Sequence, residues 1–133
     1  PALNNPSGIE RDGFGENPLF KCAVAENSNQ QLAGYVIYFP IYIPRMGKSM
    51  YLQDLFVKEQ FRRLGIGRKL FTKMAEDALE SGCLRIDWRV LIWNEAKTLY
   101  EKVGGINITE KYGWQSFELS QKGIDLLLKE KKI

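Results

Sequence analysis

At 133 residues the chain has the length of one domain, and a chain of this size can bury a core without staples. Its 44% hydrophobic and 26% charged residues are ordinary for a globular protein and exclude disordered and fibrous classes. A formal charge of +3, with acids and bases interleaved, is too weak a bias for a nucleic-acid surface, and the absence of histidine removes Ser–His and Cys–His nucleophile schemes and the commonest zinc ligand.

In chain order, residues 1–8 read as a Pro- and Asn-rich loop and residues 9–15 as a short helix stopped by Gly13 and Gly15. Residues 19–26 read as a strand, followed by a polar turn over 27–31. Residues 32–43 are a long apolar and aromatic run and predict a strand, with Pro40 marking an edge or a bulge. A hairpin connection over 44–48 leads to a strand over 49–57. Residues 65–81 change period. Ile66, Leu70, Phe71, Met74, Ala75, Ala78 and Leu79 recur at helical spacing, and Gly82 ends the helix. A strand over 84–91 follows. Asn94 is the expected N-cap of a helix running to Val103, stopped by Gly104 and Gly105. Residues 114–119 read as a strand, and Ser120 opens a last helix whose lysines (Lys129, Lys131, Lys132) form a solvated end. Hairpins come first and a strand–helix–strand crossover later, which predicts one α+β domain over 1–133 with a mixed sheet. Cys22 and Cys83 read as reduced core or near-core thiols. No apolar run reaches the roughly 18 residues of a membrane span. No signal peptide is visible, the chain begins at a proline, and a cytoplasmic setting is expected.

The run Arg62-Arg63-Leu64-Gly65-Ile66-Gly67 stands between a strand and an amphipathic helix. A helix start offers unpaired N–H groups and the positive end of a dipole. Glycines there let an anion approach the backbone closely. Arg68 and Lys69 in the first turn oppose the dipole, a cost that a bound polyanion reverses. The dinucleotide fingerprint and the P-loop both need glycine patterns that this run lacks.

With the blocks at 51–57, 61–67, Trp93-Asn94-Glu95 and Leu99-Tyr100, this turn resembles the GNAT superfamily of acetyltransferases. The nearer likeness is to diamine (spermidine/spermine) and thialysine N-acetyltransferases. The resemblance implies a mixed, mostly antiparallel sheet with flanking helices, splayed beside a bulged central strand to admit acetyl-CoA. It also implies that a strand and a helix normally precede the Asp12-Gly13-Phe14-Gly15 block and are missing here. Leu55, Phe56 and Val57 are then expected along the pantetheine arm. Arg63, Leu64, Gly65, Ile66, Gly67 and Arg68 are expected around the pyrophosphate, with Arg62 adjoining. Asn94 begins the helix beside the cofactor, and Tyr100 lies near its sulfur. A homodimer acting on a small amine is implied, with no metal, nucleic acid or membrane partner.

The implied reaction is direct transfer of acetyl to a primary amine of a polyamine or lysine-like (thialysine) acceptor. An amine with a pKa of about 10 must lose a proton first. Tyr100 is the candidate proton donor to the leaving thiolate. Gln53, Asp54, Asp87, Trp88 and Arg89 are the candidate acceptor contacts. Three acidic positions of the diamine enzymes are replaced, by Gln53, Ile92 and Tyr112. An amide cannot act as a general base. In a regular strand Asp54 would point away from Gln53. The interval from Asn94 to Tyr100 is one residue shorter than the family pattern, roughly 100° of helix rotation. The alternative is a GNAT-fold protein that binds acetyl-CoA with weak or lost catalysis.

Overall fold

The structure, a computed structural model, describes residues 6–130. Residues 1–5 of the loop expected over 1–8, and the tail lysines Lys131 and Lys132, lie outside them. The chain divides after Val103 into two compact units.

The first unit opens with α1 (Pro6–Phe14), so the helix starts earlier than expected and takes in residues assigned to the loop. Four strands follow the order of the chain: β1 (Lys21–Glu26), β2 (Leu32–Ile43), β3 (Gly47–Val57) and β4 (Arg85–Trp88). β1–β2 and β2–β3 are antiparallel hairpins, and β3–β4 is parallel across the helix α2 (Ile66–Glu80). The sheet is therefore mixed. Pro40 falls where β2 has outrun β1 and pairs only with β3, so its missing N–H interrupts no second ladder.

α2 lies on one face of this sheet. Leu70, Phe71, Met74 and Ala78 recur on one stripe of the helix and meet Val36, Tyr38, Met50 and Leu52 from β2 and β3. Tyr38, Met50 and Met74 are fully buried, and burial of such side chains contributes about 1.5–3 kcal/mol each. The Tyr38 hydroxyl donates to Asp77, tying the strand to the helix. Leu79, counted with the apolar stripe from sequence, is 79% exposed, because the stripe has turned past the sheet by the last helical turn.

Two of the strand expectations change. β4 ends at Trp88 rather than Leu91, since β3 offers it no partner beyond Leu52. Residues 114–120 form no ladder, and without partners for its N–H and C=O groups an extended run is not a strand. Cys22 is exposed, not core. β1 is an outer strand whose Ala23 and Ala25 pack inward, leaving Cys22 on the opposite face, while Cys83 is half-buried beside the core.

Near the end of the first unit, α3 (Lys97–Lys102) begins later than the expected helix. Asn94 still caps the turn before it: its Oδ1 accepts from Ala96 N at 2.7 Å, and Lys97 N donates to the Asn94 carbonyl at 3.2 Å. The second unit holds α4 (Ile108–Tyr112), which was not expected from the sequence, and α5 (Gln121–Glu130). Asn107 caps α4, and Ser120 Oγ accepts from Gly123 N at 3.1 Å at the start of α5, as expected of that serine.

Candidate active site

The sheet opens beside β3. Ser49 to Leu52 pair with β4, but from Gln53 onward β3 keeps only β2 as a neighbour. Alternate backbone groups along 53–57 are therefore left without a ladder partner on the side where β4 has parted. At the same point the strand bulges. Ile37 faces Asp54 and Tyr38 faces Leu52, so Gln53 is the extra residue. The extra residue resets the side-chain alternation. Leu52 stays in the α2 core, whereas Asp54 turns to the other face and accepts from the Tyr35 hydroxyl at 2.9 Å. Without the bulge Asp54 would share the core face with Leu52.

A cleft of about 180 Å³ occupies the opening. Leu52, Gln53, Asp54 and Leu55 form its β3 wall; Arg89, Val90 and Leu91 form the facing wall; Asn94 and Tyr100 complete it. Six residues singled out from sequence thus meet in one place: Gln53, Asp54, Leu55, Arg89, Asn94 and Tyr100. The shorter interval between Asn94 and Tyr100 does not remove Asn94 from the cleft. Leu52, Val90 and Leu91 were missed, because an apolar residue in an apolar run carries no signal that it faces a cleft.

Tyr100 is buried, with its ring 5.2 Å from Trp88 and 6.3 Å from Phe71. No hydrogen-bond partner holds its hydroxyl among the described residues. Burial, and secondarily the negative charge of Asp54, raise its pKa above that of a free phenol. The group therefore stays protonated through neutral and mildly alkaline pH. Trp88 serves as packing for this ring, on the α2 side of β4. Asp87 does not line the cleft. Its carboxylate accepts from Ser49 Oγ and from Arg85 Nε, the latter at 3.0 Å.

Beyond the cleft, β3 leads through a 3-10 turn (Glu59–Phe61) to the start of α2. Gly65 is the N-cap of α2, with φ +79°, and nothing lies within 4 Å of where a Cβ would stand. No side chain caps the helix and its first turn has no acid, so the N–H groups of Ile66, Gly67 and Arg68 lack intrahelical partners. A Cβ on Gly67 would meet Leu99 Cδ2 at 3.2 Å, so this turn sits tightly against α3. Arg63 takes the left-handed conformation, φ +66°, at a cost of about 1–2 kcal/mol for a residue with a Cβ. An open, uncapped, basic helix start suits a diphosphate group. Arg62 is engaged already: its Nε donates to Val57 O at 2.9 Å, its guanidinium lies 3.6 Å from Glu95, and it covers the Phe56 ring at 5.9 Å. It bridges the end of β3 to the segment before α3 and so braces both sides of the opening. Leu64 is exposed within the same turn.

A sheet opened at a bulged strand, with a basic glycine turn at the end of that strand, matches one known architecture. The model of the acetyltransferase (GNAT) family matches residues 4–105. A thialysine N-epsilon-acetyltransferase from Sus scrofa is 42% identical over 117 residues, covering 82% of this chain and 69% of that protein. A spermidine/spermine N(1)-acetyltransferase-like protein 1 from Homo sapiens is 33% identical, covering 84% of this chain and 17% of that one. Among solved structures, an integron cassette protein from the mobile metagenome of V. cholerae superposes with a TM-score of 0.78 at 25% identity, covering 96% of this chain and 79% of that one. The chain belongs to the GNAT family of acetyltransferases.

Proposed function

We propose that this protein transfers acetyl from acetyl-CoA to a primary amine of a small polyamine or lysine-like acceptor, by direct attack in the cleft between β3 and residues 89–91. The observation that carries the proposal is that Asp54 and Tyr100 line one cleft walled by β3, the strand whose end leads through a single 3-10 turn to the uncapped start of α2. Acetyl-CoA supplies the thioester. The turn over 63–68 and the open edge of Leu55, Phe56 and Val57 hold it, with Asn94 and Arg62 adjoining. Asp54 takes the place of Gln53 as the base that accepts the ammonium proton, through water. Open N–H groups of β3 stabilise charge developing on the carbonyl oxygen, and Tyr100 protonates the thiolate. The names of the relatives, which act on thialysine or belong with spermidine/spermine acetyltransferases, support this acceptor class. A cytoplasmic homodimer, acting without metal, nucleic acid or membrane, completes the proposal. Among the described residues no helix is long and apolar enough to cross a membrane.

The test is incubation of the chain with labelled acetyl-CoA and a panel of thialysine, lysine, spermidine and an aryl amine. Label is expected in at least one of the lysine-like amines or the polyamine. Binding of acetyl-CoA with no acetylated amine across the panel would leave the lost-catalysis alternative standing.

A further inference from the structure

Charge in the cleft is paired in an informative way. Its lining carries one anionic side chain, Asp54, and one cationic side chain, Arg89, on facing walls. The remaining lining residues, Gln53, Asn94 and Tyr100 with four apolar side chains, carry no charge at neutral pH. Arg89 is exposed to the cleft and makes no ion pair among the described residues. Its recorded bond is from Nε to the Tyr51 hydroxyl, 3.1 Å away. That bond uses one donor of five and leaves the outer fork of the guanidinium unmatched. Tyr51 is itself held: it pairs with Phe39 on β2 and with Asp87 on β4, and its ring lies 5.5 Å from that of Phe39. The arginine therefore stands on a fixed support, at the point where the two strands part, with its carboxylate-matching edge unpartnered.

We propose that Arg89, positioned by Tyr51, binds a carboxylate on the acceptor, so that the favoured substrate is an amino acid bearing a side-chain amine rather than a polyamine. This rests on the acetyltransferase reading and narrows its acceptor class. An amino acid presents an anion to Arg89 and an ammonium to Asp54. A polyamine presents a second cation where Arg89 already stands, and like charges repel.

The test compares thialysine with bis(2-aminoethyl) sulfide, which differs from it only by the missing carboxylate. For the unmodified protein kcat/KM is expected to favour thialysine by about tenfold or more, the worth of a charge-assisted contact. Arg89→Gln should lower kcat/KM for thialysine about tenfold to a hundredfold, mostly through KM, and leave the diamine unchanged or improved. Arg89→Lys should recover part of the loss. Tyr51→Phe should raise KM for thialysine with kcat little changed, the mark of a positioning residue. Equal losses on both amines in Arg89→Gln, or a diamine used as well as thialysine by the unmodified protein, would overturn the proposal while leaving acetyl transfer intact. Failure of the unmodified protein to acetylate these two amines and every other amine of the panel above would instead overturn the acetyltransferase reading.

Discussion

Tyr100→Phe is expected to lower kcat by about 10²–10⁴-fold, the range of a lost general acid, while acetyl-CoA binds as before. The substitution deletes one oxygen and keeps the ring, so packing against Trp88 and Phe71 survives. The hydroxyl has no hydrogen-bond partner to lose among the described residues, and removing it leaves no polar group of the protein stranded. What it removes is a proton donor in the cleft. Because burial and the Asp54 charge raise the phenol's pKa above its ordinary value, the unmodified enzyme should retain this acid function past the pH at which a free phenol titrates. Steady-state kinetics across pH, paired with a calorimetric titration of acetyl-CoA, checks both halves. Equal kcat in the two proteins would reduce Tyr100 to a packing residue.

Asp54→Asn is the second large effect. It should lower kcat/KM for every amine by about 10²–10³-fold, because an amide can neither accept the ammonium proton nor attract the cation. The carbonyl oxygen of the introduced amide can still accept from the Tyr35 hydroxyl, so the β2–β3 hairpin should keep its stability. Loss of activity with an unchanged melting temperature would place the effect in chemistry rather than in folding. Equal activity at high pH, where the amine is already neutral, is the complementary expectation. A uniform loss at all pH values would argue that Asp54 does not act as the base.

The parts of this protein that its sequence announces are those governed by local rules. The periodic apolar stripe of α2, Gly65 at its start, and the paired arginines define the basic glycine turn proposed here for the pyrophosphate without any tertiary information. The β2 run is rich enough in Val, Ile and Tyr to be a strand anywhere. The cleft itself was less legible. The bulge at Gln53 arises because two strands of unequal count share a register, and nothing local marks the extra residue. That single residue moves Asp54 from the core face to the face of Tyr35. β4 stops at Trp88 although Val90 and Leu91 would suit a strand, because its partner turns away. Residues 114–120 have strand-like composition and no ladder. Arg89 was legible as a candidate acceptor contact, but its support on the Tyr51 hydroxyl depends on tertiary placement.

We propose that acetyl-CoA lies with its pyrophosphate on the start of α2 and its thioester in the cleft beside Tyr100. A crystal structure of the chain with acetyl-CoA tests it most directly. The diphosphate is expected on the backbone N–H groups of the turn over 63–68, the pantetheine arm along Leu55 to Val57, and the acetyl carbon within reach of Asp54 and Tyr100. A cofactor bound elsewhere, or with its thioester outside the opening between β3 and residues 89–91, would overturn this placement.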